Sequence, residues 1–167
     1  MTAVLRRGAL GLLAGVALFL AGCAQPARVA QKDEFSAGVW RGRMALQVQD
    51  QPSQSFSAGF ELRGRPDAGQ LTLYNPLGGT LAALSWAPGS ATLRSGDQLR
   101  QFDSIDALVA GATGTPIPIA SLFDWLSGSN TPVDGWEADL SQLADGRLRA
   151  RRVTPPPAAD LRVALDK

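Results

Sequence analysis

Few residues in this chain could do covalent chemistry. Its 167 residues include no histidine and one cysteine, Cys23. The usual nucleophile–base pairs therefore cannot form, and Asp, Glu, Lys or Ser would have to carry any reaction. No carboxylates stand at a spacing that singles out a pair, so no catalytic residue is assigned. A Cys/His metal site and a disulfide framework cannot be built from these residues. Gly78-Gly79 lacks the GxxxxGK or GxGxxG surroundings of a phosphate loop, and no cofactor is implied. Arg147, Arg149, Arg151 and Arg152 form the densest basic cluster. It reads first as one solvated strand face, and second as a site for anionic headgroups or a partner. The remaining candidate is apolar. In LYNPLGGTL, residues 73–81, Leu77 sits at the tip of a turn built from Asn75, Pro76, Gly78 and Gly79. A leucine there either meets an apolar surface outside the fold or folds back onto Tyr74 or a neighbouring loop.

Cys23 is explained by what precedes it. Arg6-Arg7 form a positive start and Gly8–Leu20 a 13-residue apolar run. That run is shorter than the about 20 residues a bilayer-spanning helix needs and reads as an export signal. The following Leu20-Ala21-Gly22-Cys23 resembles the lipobox of bacterial lipoproteins, in which the thiol receives a diacylglyceryl group and the signal is cut before the cysteine. The alternative is an ordinary secretory signal followed by a chance cysteine. By the same resemblance Ala24, in place of Asp, sorts the protein to the outer membrane, on its periplasmic face. The net charge is +1, which gives no general attraction to nucleic acid. Without Arg6 and Arg7, 14 basic side chains face 15 acidic ones, a net of −1, so attachment to a membrane would run through lipid rather than charge. Residues 1–22 thus read as signal, 23–38 as lipidated N-terminus and tether (Phe35 packing on the domain), and 39–167 as one domain, taken as a monomer. Fifteen tether residues reach at most about 50 Å.

From Trp40 the pattern has period two, the strand signal. Trp40, Gly42, Met44, Leu46 and Val48 share one face; Phe56, Ala58, Phe60 and Leu62 continue it, as do Leu71 with Leu73, Ala82 with Leu84 and Trp86, and Ala91 with Leu93. A further short strand covers Leu99–Phe102. Turns fall at Gln51-Pro52-Ser53, Arg65-Pro66-Asp67, Pro88-Gly89 and Ser95-Gly96-Asp97. Two helices interrupt: one with Asp103 as cap, Asp106 in its first turn and an Ile105/Leu108/Val109 stripe ending before Gly111, and one carrying Ile119, Leu122, Phe123 and Leu126 on a single face. Trp125 lies off that stripe, so this helix could cover one apolar surface and present another. Strand pattern returns at Trp136–Leu140, at Leu148–Ala150 and at Leu161–Leu165, the last after Pro155-Pro156-Pro157, read as a rigid extended link. The expectation is a mainly β (α+β) domain, an antiparallel sheet of nine to eleven strands with two inserted helices. Its apolar face must curl around something, either a side-chain-filled core or a cavity for an apolar ligand.

The lipobox cysteine, WRGRMALQV, FSAGFELRG, LTLYNPLGGTLAALSWAPGSATL and GTPIPIASLFDWLSG before a Gly-Trp strand occur in the order found in the LolB family of outer-membrane lipoprotein receptors. The resemblance covers most of residues 23–140. It implies a half-closed antiparallel β-barrel with a short helical lid over a hydrophobic cavity. It further implies that triacylated lipoprotein cargo is accepted from a soluble periplasmic carrier, LolA, and released into the outer-membrane lipid, without nucleotide or metal. Carried onto this chain, Met44, Leu46, Val48, Phe56, Phe60, Leu71, Leu73, Leu84 and Trp86 would line the cavity, and Ile119, Leu122, Phe123 and Leu126 would form the lid. Leu77 would dip into the membrane while Pro76 and Gly78 hold the loop. Two other accounts stay open: a lipid-anchored module for another apolar ligand, and a structural lipoprotein with a filled core.

Overall fold

The alternation read from the sequence becomes nine strands in one antiparallel sheet, seen in a computed structural model that describes residues 38–50 and 53–167. The strands are β1 (Val39–Gln49), β2 (Gln54–Arg65), β3 (Ala68–Tyr74), β4 (Thr80–Ala87), β5 (Ser90–Ser95), β6 (Gln98–Phe102), β7 (Trp136–Asp139), β8 (Arg147–Arg152) and β9 (Ala158–Leu165). The segment read as a signal, Cys23, the expected tether up to residue 37 with Phe35, and Gln51-Pro52 lie outside the described residues.

Sheet order is β6-β5-β4-β3-β2-β1-β9-β8-β7. Each strand up to β6 pairs with its predecessor; β7, β8 and β9 then form a second meander that docks β9 against β1. The sheet is open, because β6 and β7 are its two edges. The chain crosses from one edge to the other through two helices, α1 (Ile105–Thr113) and α2 (Ile119–Leu126).

Register carries the apolar face across the central strands, from β9 through β1 to β5. Leu46 pairs with Phe56 and with Leu161, Phe60 with Leu73, Leu71 with Leu84, and Leu84 with Leu93. Because the side-chain period is two, a one-residue slip would turn all of these into solvent. Among the described residues the buried core is drawn from residues 46–163 and is joined by partly buried side chains from Trp40 to Leu165.

Several expectations are corrected. Helix α1 is capped by Ser104, whose Oγ accepts from the Ala107 N–H at 3.1 Å, rather than by Asp103. It continues through Gly111 and ends at Gly114, which takes the left-handed conformation with φ 70°. Trp125 does not present a second surface: it is fully buried, donates from Nε1 to the Thr131 carbonyl at 3.0 Å, and lies 6.5 Å from the Trp136 ring. Helix α2 is therefore buried on nearly all sides. Pro155–Pro157 do not form an extended link; they lie in the loop that reverses the chain between the adjacent strands β8 and β9.

Candidate functional site

Two helices cannot cover nine strands, and where they stop the sheet encloses a cavity of about 370 Å³. Its floor is the inward face of the central strands, with Met44, Leu46 and Val48 from β1, Leu71 and Leu73 from β3, and Leu84 from β4. Phe56 stands at its edge, 39% exposed. Its roof is helical, with Ile119 and Leu122 from α2 and, unanticipated from sequence, Val109 and Ala112 from α1 and Ile117 from the linker. Leu93 and Leu161 complete the apolar wall, and Gln54, Ser55, Ser95 and Thr113 are the polar residues of the lining.

The cavity is open to solvent at its rim, where Phe56 stands, rather than sealed. Were it a closed, empty void, about 24 cal/mol per Å³ would put its cost near 9 kcal/mol. That approaches the whole stability of an ordinary domain, about 5–15 kcal/mol. It also falls within the range of about 300–1,000 Å³ that ligand pockets occupy.

Four residues assigned to this site from the sequence do not line it. Phe60, Trp86, Phe123 and Leu126 are buried in solid core. Phe123 makes edge-on contacts with Trp40 and Trp86, ring centroids 5.4 and 6.2 Å apart, and Trp86 Nε1 donates to the Pro66 carbonyl at 2.9 Å. These aromatics plug one end of the concave face, and the cavity occupies the other. A period-two pattern names the inward face but cannot say which part of it the helices fill.

At the β3–β4 hairpin Leu77 is 96% exposed. The loop around it is well held. Asn75 Oδ1 accepts from the backbone N–H of both Leu77 and Gly79, each at 2.9 Å. The Asn75 N–H donates to the Gly79 carbonyl at 2.8 Å, and the Gly78 N–H to the Asn75 carbonyl at 3.0 Å. Gly78 has φ 84°, a conformation that side chains with a Cβ resist. Asn75 is thus the clamp that sequence reasoning missed, although Asn at the first position of a Pro-containing turn is its usual signal. Just beyond, the register shifts between Leu73/Tyr74 and the facing strand.

The basic cluster on β8 divides by parity. Arg147, Arg149 and Arg151 face outward, but Arg152 points inward, 6% exposed, and donates to Thr115 Oγ1 at 2.5 Å. Adjacent strand residues must face opposite ways, so Arg152 never belonged to the solvated face. It ties β8 to the linker between α1 and α2. On the outer face Arg149 and Arg162 both pair with Asp160, and Arg41 and Arg63 with Glu61. The Arg41 guanidinium, with Arg63 adding to it against a burial effect, holds the Glu61 carboxyl below its ordinary pKa. Burial pushes Asp160 up, but its bonds from Arg149 and Arg162 outweigh that and leave it lowered.

Comparison with known proteins extends this description. The family model described as "Outer membrane lipoprotein LolB" matches residues 39–153. An outer-membrane lipoprotein LolB of Bordetella petrii is 35% identical over 93% of this chain and 91% of its own length. The protein of the same name from Ralstonia nicotianae is 36% identical over 88% of this chain and 74% of its own. That of Chromobacterium violaceum is 30% identical over 82% and 75%.

Proposed function

The chain belongs to the LolB family of outer-membrane lipoproteins, and from that premise we propose that its cavity receives acyl chains of lipoproteins bound for the outer membrane. As a member it is an outer-membrane lipoprotein receptor in lipoprotein localisation. The observation that carries the acyl-chain reading is the cavity of about 370 Å³ walled by aliphatic side chains and roofed by α1 and α2. A sixteen-carbon chain occupies on the order of 400 Å³ at the density of organic solids, so the space suits about one chain. A triacylated cargo would leave its other chains only partly covered.

That mismatch supplies the direction of transfer. Apolar surface gains about 25 cal/mol per Å² when hidden from water. A receptor that covers part of the lipid holds it less well than a bilayer that covers all of it, and release into the membrane runs downhill without nucleotide. No bond is made or broken, and the protein acts as a receptor rather than an enzyme. In this reading Cys23 carries the anchor, residues 23–38 are the tether, and residues 39–167 work from the periplasmic face of the outer membrane. The soluble carrier LolA supplies the cargo. Leu77, presented by Asn75, Pro76 and Gly78, enters the lipid surface and brings the mouth of the barrel to it.

The test uses the chain from Ala24 onward, mixed with carrier loaded with triacylated lipoprotein, and follows cargo first into the chain and then into liposomes. Wild type is expected to accept and deliver, and Leu77→Glu to accept but stall. Delivery by both alike would remove the role of Leu77. Failure of wild type to accept cargo would overturn the transfer reading in favour of a filled-core lipoprotein.

A further inference from the structure

The outer face of the sheet carries charge for which the cavity has no use. One transverse row of cross-strand partners runs Tyr74, Gly59, Arg43, Ala164, Arg147, from β3 to β8. The next runs Ser57, Ala45, Arg162, Arg149, Asp139. Small side chains at Ala45, Ser57 and Ala164 leave a groove of about 550 Å³ between the arginines. Outward positions of β1, β2, β7, β8 and β9 hold eight arginines against four carboxylates, while the chain beyond Gly22 has one more acidic residue than basic. The basic excess is therefore local.

Within the groove the arginines are not equivalent. Asp160 engages both Arg149 and Arg162. Arg43 and Arg147 are exposed and form no ion pair among the described residues. They flank Ala164 from its two neighbouring strands, so their backbones stand two strand spacings apart, roughly 10 Å. Two planar guanidinium forks across that gap match a phosphate group, which each can engage with paired N–H donors.

We propose that this groove is a phosphate site for the headgroup of an anionic glycerophospholipid at the bilayer surface, with Arg43 and Arg147 as its principal ligands. A recessed floor of small side chains suits a compact anion better than the face of an acidic protein. Its row also contains Tyr74, the last strand residue before the Leu77 loop, so the groove and the base of that loop lie at one level of the sheet, with Tyr74 and Arg147 about 19 Å apart across four strand spacings. A diacylglyceryl-cysteine cargo has no phosphate, so the site addresses the membrane and goes beyond the transfer reading.

The experiment contains no cargo, and so its outcome is separate from that of the transfer assay. The chain from Ala24 onward is partitioned onto vesicles of phosphatidylcholine alone and of phosphatidylcholine with phosphatidylglycerol, at fixed ionic strength. Wild type is expected to prefer the anionic vesicles. Arg43→Gln/Arg147→Gln is expected to bind them about thirty-fold more weakly, at roughly fivefold for each surface arginine. The charge-matched Arg65→Gln/Arg94→Gln, which alters exposed outer-face arginines away from the groove, is expected to lose much less. Equal losses in both pairs would mean diffuse charge and overturn the site. Inorganic phosphate, titrated while the arginine side-chain NMR signals are followed, tests the other source. If it binds at Arg43 and Arg147 while vesicle partition is unchanged in their variants, the ligand is a free anion and the headgroup assignment fails. Unchanged vesicle binding in Arg43→Gln/Arg147→Gln, with no phosphate bound at either arginine, would equally overturn the proposal.

Discussion

Leu77→Ala separates a membrane contact from a packing contact, because each lowers a different one of two measured quantities. The substitution removes three carbons from a side chain that is 96% exposed. If these carbons enter lipid, at about 0.8 kcal/mol each, full immersion is worth about 2.4 kcal/mol, or about fifty-fold in partition. Since the side chain is exposed in the free protein, the same change is expected to move folding stability by less than about 0.5 kcal/mol. The assay is co-sedimentation of the chain from Ala24 onward with neutral vesicles, alongside its thermal melt. Asn75→Ala supplies an internal scale. It keeps Leu77 but releases two exposed hydrogen bonds, worth at most about 0.5–1.5 kcal/mol each, and is expected to weaken partition several-fold, less than Leu77→Ala. An unchanged partition for Leu77→Ala would refute the membrane role. A melting point lowered by many degrees would show that the leucine packs on the fold.

Other predictions concern the interior and the outer face. Ala82→Phe adds a ring to the cavity wall opposite Leu73 and is expected to weaken binding of a fluorescent fatty acid by about tenfold or more; unchanged binding would place the ligand elsewhere. Thr115→Ala strips the buried Arg152 guanidinium of its hydroxyl partner and is expected to cost about 1–3 kcal/mol in urea unfolding, whereas a neutral result would show that Arg152 is satisfied without it. Glu61 and Asp160 both have lowered pKa values in the fold. Their contribution is complete above the unfolded values, about 4.3 and 3.9, and is lost as pH falls through the lower folded ones. The melting point is therefore expected to drop below about pH 4, and the drop to flatten in Glu61→Gln/Asp160→Asn; an equally steep drop in that variant would assign it to other groups.

The period-two runs determined the strands and their inward faces, and the helical stripes at Ile105/Leu108/Val109 and Ile119/Leu122/Phe123/Leu126 the two helices. Alternation in an antiparallel sheet is a local property, and a face that is apolar at every second residue has one way to turn. The exposure of Leu77 was open in the sequence, since a turn leucine can fold back; only the Asn75 clamp in the folded hairpin excludes this. Arg152 was misread for a different reason. Its parity was legible, but a buried guanidinium needs a partner, and that partner, Thr115, lies 37 residues away in sequence. The division of the concave face into an aromatic plug at Trp40, Trp86 and Phe123 and a cavity beside it was not legible at all. It depends on where the crossover between β6 and β7 lays its helices, and hence on long-range packing. The groove between Arg43 and Arg147 likewise exists only because β9 inserts between β1 and β8. Local pattern determined which side chains face inward; the path of the chain between the sheet edges decided which of them are covered and which enclose space.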